Sequence, residues 1–195
     1  QLAEQAIHIE RELLCEPGGV QDQIWAAYGG INSIEIKKDG DFEVKPLPIS
    51  REFVQEFIDR SLLIYTGKTR KSFRIANDVG SKDNYSQKKN ILDISNKAYD
   101  AFLQSDIDKI AYHLANSWEN KKQLSPLVCP KHVDSLYNTL ESLGMIGGKL
   151  LGAGGSGFVF GIFKTKEDKE RAKKRYRSKN INFEIDNNGS QIINR

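Results

Sequence analysis

The stretch "GGKLLGAGGSGFVFGIF", residues 147–163, decides which class of fold the chain can adopt. Its loop GAGGSG, residues 152–157, satisfies the pattern GxGxxG. The dinucleotide-binding form of that pattern follows a strand and opens a helix. Here we predict the reverse order, with a helix before the loop and the strand FVFGIF after it. The sequence therefore argues against a Rossmann fold.

The glycines of the same stretch suggest a ligand loop. Residues 147–157 contain six glycines and one lysine, which lets a backbone approach a ligand closely and point successive N–H groups at an anion or at sugar hydroxyls. The alternative is a tight helix-to-strand connection whose glycines only supply positive φ. A second phosphate-like stretch, "YTGKT" at residues 65–69, fails as a P-loop because Leu62 stands where a glycine is needed.

The remaining pattern predicts α+β with antiparallel pairing, because strands and helices alternate without the long buried runs of a doubly wound sheet. We predict a hairpin at 31–49 around Asp39-Gly40 and a last hairpin at 181–194 around Asn188-Gly189. The other predicted elements are helices at 1–14, 20–28, 51–60, 128–144 and 164–179, two helices within 91–118 separated by an N-cap, a strand at 61–67, and a polar loop or weak helix at 68–90.

Composition is that of a globular protein without a membrane span. The chain has 195 residues, 38% of them hydrophobic, a net charge of +3 and no apolar run near ~20 residues. We interpret the basic run at 164–179 as a solvated helix face, and expect a cytoplasmic protein without a nucleic-acid or membrane partner. Cys15 and Cys129 are predicted to be buried thiols, His8 and Glu12 a helix surface pair, and we expect no structural metal.

One carboxylate stands out near the start of the chain. In "GGVQDQIWAAYGG", residues 18–30, Asp22 lies between two amides at the predicted beginning of a short helix. The helix before it carries Leu2, Ala6, Ile9 and Leu13 on one stripe, and this opening reads as part of something longer. Asp22 either serves chemistry or caps the helix that begins there.

Two of these stretches carry a family resemblance. "PGGVQDQ" and "KLLGAGGSG" resemble the second and third signature motifs of the GHMP kinases, the superfamily of galactokinase, homoserine kinase, mevalonate kinase and phosphomevalonate kinase. The chain looks most like the D-glycero-D-manno-heptose 7-phosphate kinases of that superfamily. The resemblance implies the end of an N-terminal domain at 1–48 and a ferredoxin-like C-terminal domain at 49–195, with substrate and ATP in the cleft between them. The first motif, which wraps the ATP triphosphate, is absent from these residues.

The resemblance also implies a set of site residues. Asp22 matches the catalytic aspartate and Glu10 an active-site glutamate associated with Mg²⁺, for which the alternative is an exposed helix glutamate. The substrate and phosphate loops are matched by Gly18, Gly19, Gly152, Ala153, Gly154, Gly155 and Ser156. The family's fourth consecutive glycine is replaced by Ser156. Candidates for binding the substrate phosphate are Lys68, Arg70 and Lys121, with Lys71 and Lys122 beside them.

The function implied is transfer of the γ-phosphoryl group of ATP, with Mg²⁺, to the anomeric hydroxyl of a heptose 7-phosphate in nucleotide-heptose synthesis. Two alternatives stay open: a hexose kinase of the fucose or galactose type, and a non-catalytic GHMP-like sugar-binding protein. We expect no kinase activity from residues 1–195 alone. The sequence gives no oligomeric state.

Overall fold

The computed structural model describes residues 1–16, 18–68, 73–80, 83–191 and 193. Contacts divide the chain into two compact units, one formed by Gln1–Pro48 with Glu184–Arg195 and the other by Ile49–Phe183. Each unit is described by itself.

The first unit contains helices and a hairpin. Helix α1 (Leu2–His8) continues as a π-helical turn (Ile9–Leu13), and α2 (Gln21–Tyr28) follows. Strands β1 (Asn32–Ile36) and β2 (Phe42–Pro46) pair antiparallel, with Ile34 opposite Val44. The predicted first helix, second helix and hairpin are confirmed.

The second unit is a four-stranded sheet with helices. Its elements are α3 (Arg51–Asp59), β3 (Ser61–Tyr65), α4 (Phe73–Gly80), α5 (Tyr85–Leu103), α6 (Ile107–Lys122), α7 (Lys131–Ser142), β4 (Met145–Leu150), β5 (Phe158–Phe163), α8 (Lys166–Arg175) and β6 (Asn180–Ile181). The strand order is β4-β5-β3-β6, and every neighbouring pair is antiparallel. This order confirms the α+β class, and it is the ferredoxin-like order that the resemblance implied.

The two faces of this sheet bury different sets of side chains. Leu62 and Val159 contribute to a core cluster with α7, while Ile162 contributes to a second cluster with α3 and α6. Successive residues of a strand point to opposite faces, so β5 supplies both clusters, with Val159 and Phe163 in the first and Ile162 in the second. No helix in the described part of the chain is long and apolar enough to cross a membrane.

Two predicted elements differ from the structure. Strand β4 lies between the predicted helix and the GAGGSG loop, in residues of which 147–150 were predicted as part of the glycine loop, so the loop connects two antiparallel strands. Residues 73–80 form a regular helix within the stretch predicted as loop or weak helix, because the wholly buried Ile75 anchors that helix in the core.

The predicted last hairpin is wrong. Among the described residues from 180 onward, only Asn180–Ile181 forms a strand, and residues after Phe183 bond to the first unit's α2 and the turn behind it. The Gly30 N–H donates to the Asp186 carbonyl at 2.7 Å, and the Ser190 N–H donates to the Ala26 carbonyl at 2.9 Å. These bonds replace the second hairpin strand as partners for the terminal backbone.

Two burial predictions also fail. Cys15 is exposed, with a φ of 52°, and Cys129 is half-buried. The apolar stripe of the first helix is largely exposed, since Leu2, Ile9 and Leu13 are exposed by 48%, 49% and 66%. By contrast, the His8–Glu12 surface pair is confirmed, with 2.9 Å between Nδ1 and Oε2.

Candidate active site

Asp22 lies in the first turn of α2, with its side chain exposed to solvent. Its carboxylate makes no hydrogen bond or ion pair with any residue that the structure describes. The N-cap position belongs to Val20, so Asp22 does not cap the helix as the alternative supposed. An acid in the first turn is still favoured by the helix dipole. The carboxylate is therefore free to address a ligand.

Glu10 is hydrogen-bonded to Gln23, the residue that follows Asp22 in α2. The Gln23 amide Nε2 donates to Glu10 Oε2, which links the π-helical turn to the start of α2. Gln23 Oε1 is buried and accepts no hydrogen bond from the part of the chain that the structure describes. The π-helical turn around Glu10 is closed by a Leu14 N–H to Ile9 carbonyl bond of 2.9 Å. Such turns occur frequently at functional sites.

Glu10 offers carboxylate oxygens, the kind of ligand that a hard cation prefers. Mg²⁺ is usually held by one or two carboxylates together with waters and substrate phosphates. Within the described ranges, no group of three or more His, Cys, Asp or Glu side chains could hold a metal by itself. The role of Glu10 as a carboxylate ligand of Mg²⁺ therefore stays a prediction.

Gly18 and Gly19 precede α2 without steric constraint. A Cβ placed on either residue would meet no described atom within 4 Å. Neither glycine is required by packing inside the chain, so the space beside them is open on the side where a Cβ would point.

The GAGGSG loop of the second unit connects β4 to β5 in a strained path. Gly152, Gly154, Gly155 and Gly157 have positive φ angles of 67°, 114°, 71° and 112°. At Gly154 a Cβ would also lie 3.0 Å from the backbone Cα of Val128. Both the positive φ and this close contact therefore disfavour any residue larger than glycine there.

Neighbouring residues hold the loop in place. The Gly155 N–H donates to the Val128 carbonyl at 2.6 Å, and the Gly157 N–H donates to Thr66 Oγ1 at 3.0 Å. The Lys121 ammonium donates to the Gly152 carbonyl. These contacts come from α6, from the residue after β3 and from the segment before α7, and the sequence patterns gave no sign of them.

Several N–H groups of the loop are left over. The N–H groups of Gly152, Ala153 and Ser156 have no hydrogen-bond acceptor among the residues that the structure describes. Unpaired N–H groups in a glycine turn are the usual way for backbone to bind an anion. The loop can therefore accept a phosphate or carboxylate without help from a side chain.

The cationic candidates are placed differently from one another. Lys121 touches the loop, whereas Lys122 forms an ion pair with Glu119, with 2.6 Å between Nζ and Oε1. Lys68 is exposed. Arg70 and Lys71 lie outside the described residues. Of this set, Lys121 is brought to the predicted loop.

Sequence reasoning missed an open groove in the first unit. Trp25, exposed by 48%, lines it with Gly29, Asp186 and Ser190, and its volume is ≈ 380 Å³. A tryptophan beside carboxylate and hydroxyl groups can stack on an apolar ring face and bond its polar edge. Only the return of residues 184–190 to α2 creates this groove, so no local pattern could predict it.

Comparison with known proteins identifies a family model and several relatives that resemble this chain. Residues 98–182 match the family model of the GHMP kinase C-terminal domain. The D-glycero-alpha-D-manno-heptose 7-phosphate kinase of Campylobacter jejuni is 31% identical over 164 residues, which are 82% of this chain and 48% of that protein. The chain belongs to the GHMP kinase family.

Two further proteins resemble the chain as well. A crystal structure of a Campylobacter jejuni protein described as a sugar kinase is 28% identical with a TM-score of 0.70, and the match covers 96% of this chain and 55% of that one. The bifunctional fucokinase/GDP-fucose pyrophosphorylase of Arabidopsis thaliana is 27% identical over 176 residues, 83% of this chain and 16% of that protein. The chain thus spans about half the length of the heptose 7-phosphate kinase, and less of the bifunctional one.

Proposed function

We propose that the whole protein carrying this chain is an ATP-dependent sugar kinase that phosphorylates the anomeric hydroxyl of D-glycero-D-manno-heptose 7-phosphate. The 31% identity to a kinase of that name supports the substrate. The observation that carries the proposal is Asp22, an exposed carboxylate on a helix start with no partner among the described residues.

In this proposal Asp22 accepts or orients the proton of the attacking hydroxyl. Phosphoryl transfer depends chiefly on positioning and on neutralising charge, and a positioned base contributes about 10² to 10⁴ in rate. An anomeric hydroxyl is more acidic than a simple alcohol, so it suits a carboxylate, which is a weak base. The Asp22 carboxylate would not have to give up a hydrogen bond to any described residue in order to bind that hydroxyl.

Glu10 serves as the protein carboxylate for Mg²⁺, and Gln23 fixes its orientation. A bound Mg²⁺ would neutralise charge that develops on the transferring phosphate. The loop at 152–157 contributes through its unpaired N–H groups, which suit phosphate oxygens. Lys121 holds the loop through the Gly152 carbonyl, and we retain Lys68 and Arg70 as candidates for the substrate's own phosphate.

The domain boundary belongs to the same proposal. We place residues 1–48 at the end of an N-terminal GHMP kinase domain and assign the sheet unit that follows to the C-terminal domain. The terminal residues 184–195 group with the first unit by their contacts. ATP and sugar phosphates are cytoplasmic metabolites, so we also assign the reaction to the cytoplasm.

A second candidate substrate is a hexose. The 27% identity to a protein with fucokinase activity in its name favours fucose as the alternative acceptor. The chemistry assigned to Asp22 would be unchanged, because fucose also offers an anomeric hydroxyl. The two substrates differ in one requirement: a heptose 7-phosphate needs a cationic side chain to bind its phosphate, whereas fucose carries no phosphate.

The test is a kinetic assay of the whole protein with Mg-ATP and a panel of heptose 7-phosphates, fucose and galactose. We expect the highest kcat/KM with the heptose 7-phosphate, and we expect Asp22→Asn to lower kcat by about 10² to 10⁴. Preference for a hexose would overturn the substrate, and an Asp22→Asn variant with the wild-type rate would overturn the role of Asp22.

Asp39→Asn is the matched control, because it makes the same chemical change in the exposed turn of the first unit's hairpin. Asp39 accepts a hydrogen bond from the Asp41 N–H at 3.1 Å, which asparagine can also accept. This variant should keep the wild-type rate.

A further inference from the structure

Lys179 places a cation beside the turn that follows strand β3. It lies in the connection between α8 and β6, and its side chain is exposed. A Cβ placed on Gly67 would lie 3.3 Å from the Lys179 Nζ and 3.7 Å from its Cε, so the ammonium lies directly against the Gly67 backbone. Gly67 has a φ of 84° and no side chain, which leaves this space to the lysine.

The strand pairing places this lysine at the same end of the sheet as the glycine loop. Strand β4 ends and strand β5 begins at the GAGGSG loop. Strand β3 ends where β5 begins, because Tyr65 pairs with Phe158. Strand β6 begins near the end of β3, because Asn180 pairs with Ile64. The loop, the turn after β3 and the connection before β6 therefore lie at one end of the sheet.

Backbone hydrogen bonds connect the lysine to the loop. The Tyr65 N–H donates to the Lys179 carbonyl at 2.8 Å. The next residue, Thr66, donates its N–H to the Gly157 carbonyl at 2.8 Å and accepts from the Gly157 N–H through Oγ1 at 3.0 Å. Because neighbouring strands lie about 4.8 Å apart, an ammonium beside Gly67 is on the order of 5 to 10 Å from the end of the loop.

No carboxylate in the described part of the chain pairs with Lys179. Its ammonium has no hydrogen bond or ion pair there, and the same is true of Lys68, the exposed residue that follows Gly67. By contrast, Lys166 at the start of α8 pairs with Asp59 at 2.5 Å. Lysine side chains of this kind bind phosphate groups as point charges.

We propose that Lys179 binds the phosphate group that the acceptor sugar already carries. The inference rests on the proposed function, in which the N–H groups of Gly152, Ala153 and Ser156 face the phosphate being transferred. The anomeric hydroxyl and the 7-phosphate lie at opposite ends of a heptose 7-phosphate. The second phosphate therefore needs a cation that is several ångströms away from those N–H groups, and Lys179 meets that requirement together with Lys68.

Isothermal titration calorimetry of the whole protein without ATP tests this binding directly. The probes are heptose 7-phosphate and the same heptose without its phosphate. We expect the wild type to bind the phosphorylated sugar at least about tenfold more tightly, because a charged hydrogen bond is lost with the phosphate. Lys179→Met removes the charge and keeps the stem of the side chain. It should weaken binding of heptose 7-phosphate about tenfold and leave the unphosphorylated heptose unaffected.

Steady-state kinetics separates the acceptor's phosphate from those of ATP. In Lys179→Met we expect the KM for heptose 7-phosphate to rise about tenfold, while kcat and the KM for ATP stay within about threefold of wild type. Lys179→Arg keeps the charge and should restore the KM for heptose 7-phosphate to within about threefold. A rise in the KM for ATP alone would assign the lysine to the nucleotide and overturn the proposal.

Lys38→Met is the matched control, because it makes the same change at an exposed position in the hairpin of the first unit. It should alter neither measurement. Equal binding of the heptose with and without its phosphate by the wild type would overturn the proposal. So would a Lys179→Met variant that binds heptose 7-phosphate as tightly as the wild type does. Far-UV circular dichroism of each variant shows whether the fold is kept.

Failure of the proposed function has a different signature. It would be seen as an Asp22→Asn variant with the wild-type rate, or as a higher kcat/KM for a hexose. The calorimetric comparison does not depend on turnover, so it decides the role of Lys179 in either case.

Discussion

Lys149 shows how a single residue can be costly to its fold. It is half-buried in β4, directly opposite Phe160 of β5. Burial lowers the pKa of this lysine below its usual 10.5. Its ammonium has no hydrogen-bond or ion-pair partner among the residues that the structure describes. A charge held this way opposes folding.

Replacing this lysine should stabilise the chain. Lys149→Met keeps the length of the side chain and removes the charge, so we expect a free energy of unfolding higher by about 1 kcal/mol at pH 7. Urea unfolding followed by circular dichroism measures this difference. Lys174→Met, at an exposed position on α8, is the control and should change stability by less than about 0.5 kcal/mol.

The pH dependence gives a second readout with a definite sign. Because the folded-state pKa of Lys149 is below the unfolded one, the unfolded chain binds more protons between those two values. The wild type therefore gains stability relative to Lys149→Met as the pH rises through that window toward 10.5. An advantage of the variant that stays constant from pH 7 to 10 would contradict the assigned cause.

Other single residues divide between what sequence could and could not predict. The catalytic role of Asp22 is a prediction from its motif, and the structure adds that its side chain is exposed on α2. Gln23 was missed, although it binds Glu10, because a glutamine at a helix start has no distinctive pattern. Val128 and Thr66 were missed because they hold the glycine loop from positions distant in sequence.

At the scale of elements, strand β4 explains why the six glycines at 147–157 do not all belong to a ligand loop. Of the six glycines attributed to a ligand loop, Gly147 and Gly148 lie within the strand. A Cβ at Gly147 would lie 1.9 Å from the Ala111 carbonyl oxygen, so this glycine lets α6 approach the sheet. This strand has a single β-branched residue, Ile146, and two glycines, which are depleted in strands, so its sequence does not mark it as a strand.

Gly147→Ala should therefore disrupt the packing of α6 on β4. The added methyl group meets backbone rather than a movable side chain. We therefore expect the free energy of unfolding to fall by about 1 to 3 kcal/mol. Thermal unfolding measures the effect.

Gly80→Ala is the matched control, since a Cβ there meets nothing within 4 Å. It should be neutral or slightly stabilising, because Gly80 ends helix α4. Equal unfolding temperatures for the two variants would contradict the packing role of Gly147.

At the scale of the molecule, residues far apart in sequence complete the first unit. Ser190 donates through both its N–H and its hydroxyl to the Ala26 carbonyl, across 164 positions. Gly189 has a φ of 64°, and a Cβ there would lie 2.4 Å from the Ala27 carbonyl oxygen. The backbone of residues 184–190 thus packs against the backbone of α2 with no room for a side chain at Gly189.

Gly189→Ala should release this segment from α2. We expect the amide protons of Gly30 and Ser190 to exchange at least about tenfold faster, as measured by hydrogen exchange, because their acceptors move away. Gly18→Ala, at a glycine with open space around it, should leave those rates unchanged. Unaltered exchange in Gly189→Ala would refute the close approach.

The sequence by itself determined the α+β class, most of the helices, the first hairpin and the family, because these depend on local periodicity, turn residues and short motifs. Tertiary structure decided what local patterns do not encode: the strand role of Gly147, the bond from Gln23 to Glu10, the contacts that hold the loop, and the return of residues 184–190 to α2. The physical reason is that a glycine or a polar residue is compatible with many local conformations. Which one it adopts depends on the backbone and side chains that long-range folding brings within a few ångströms of it.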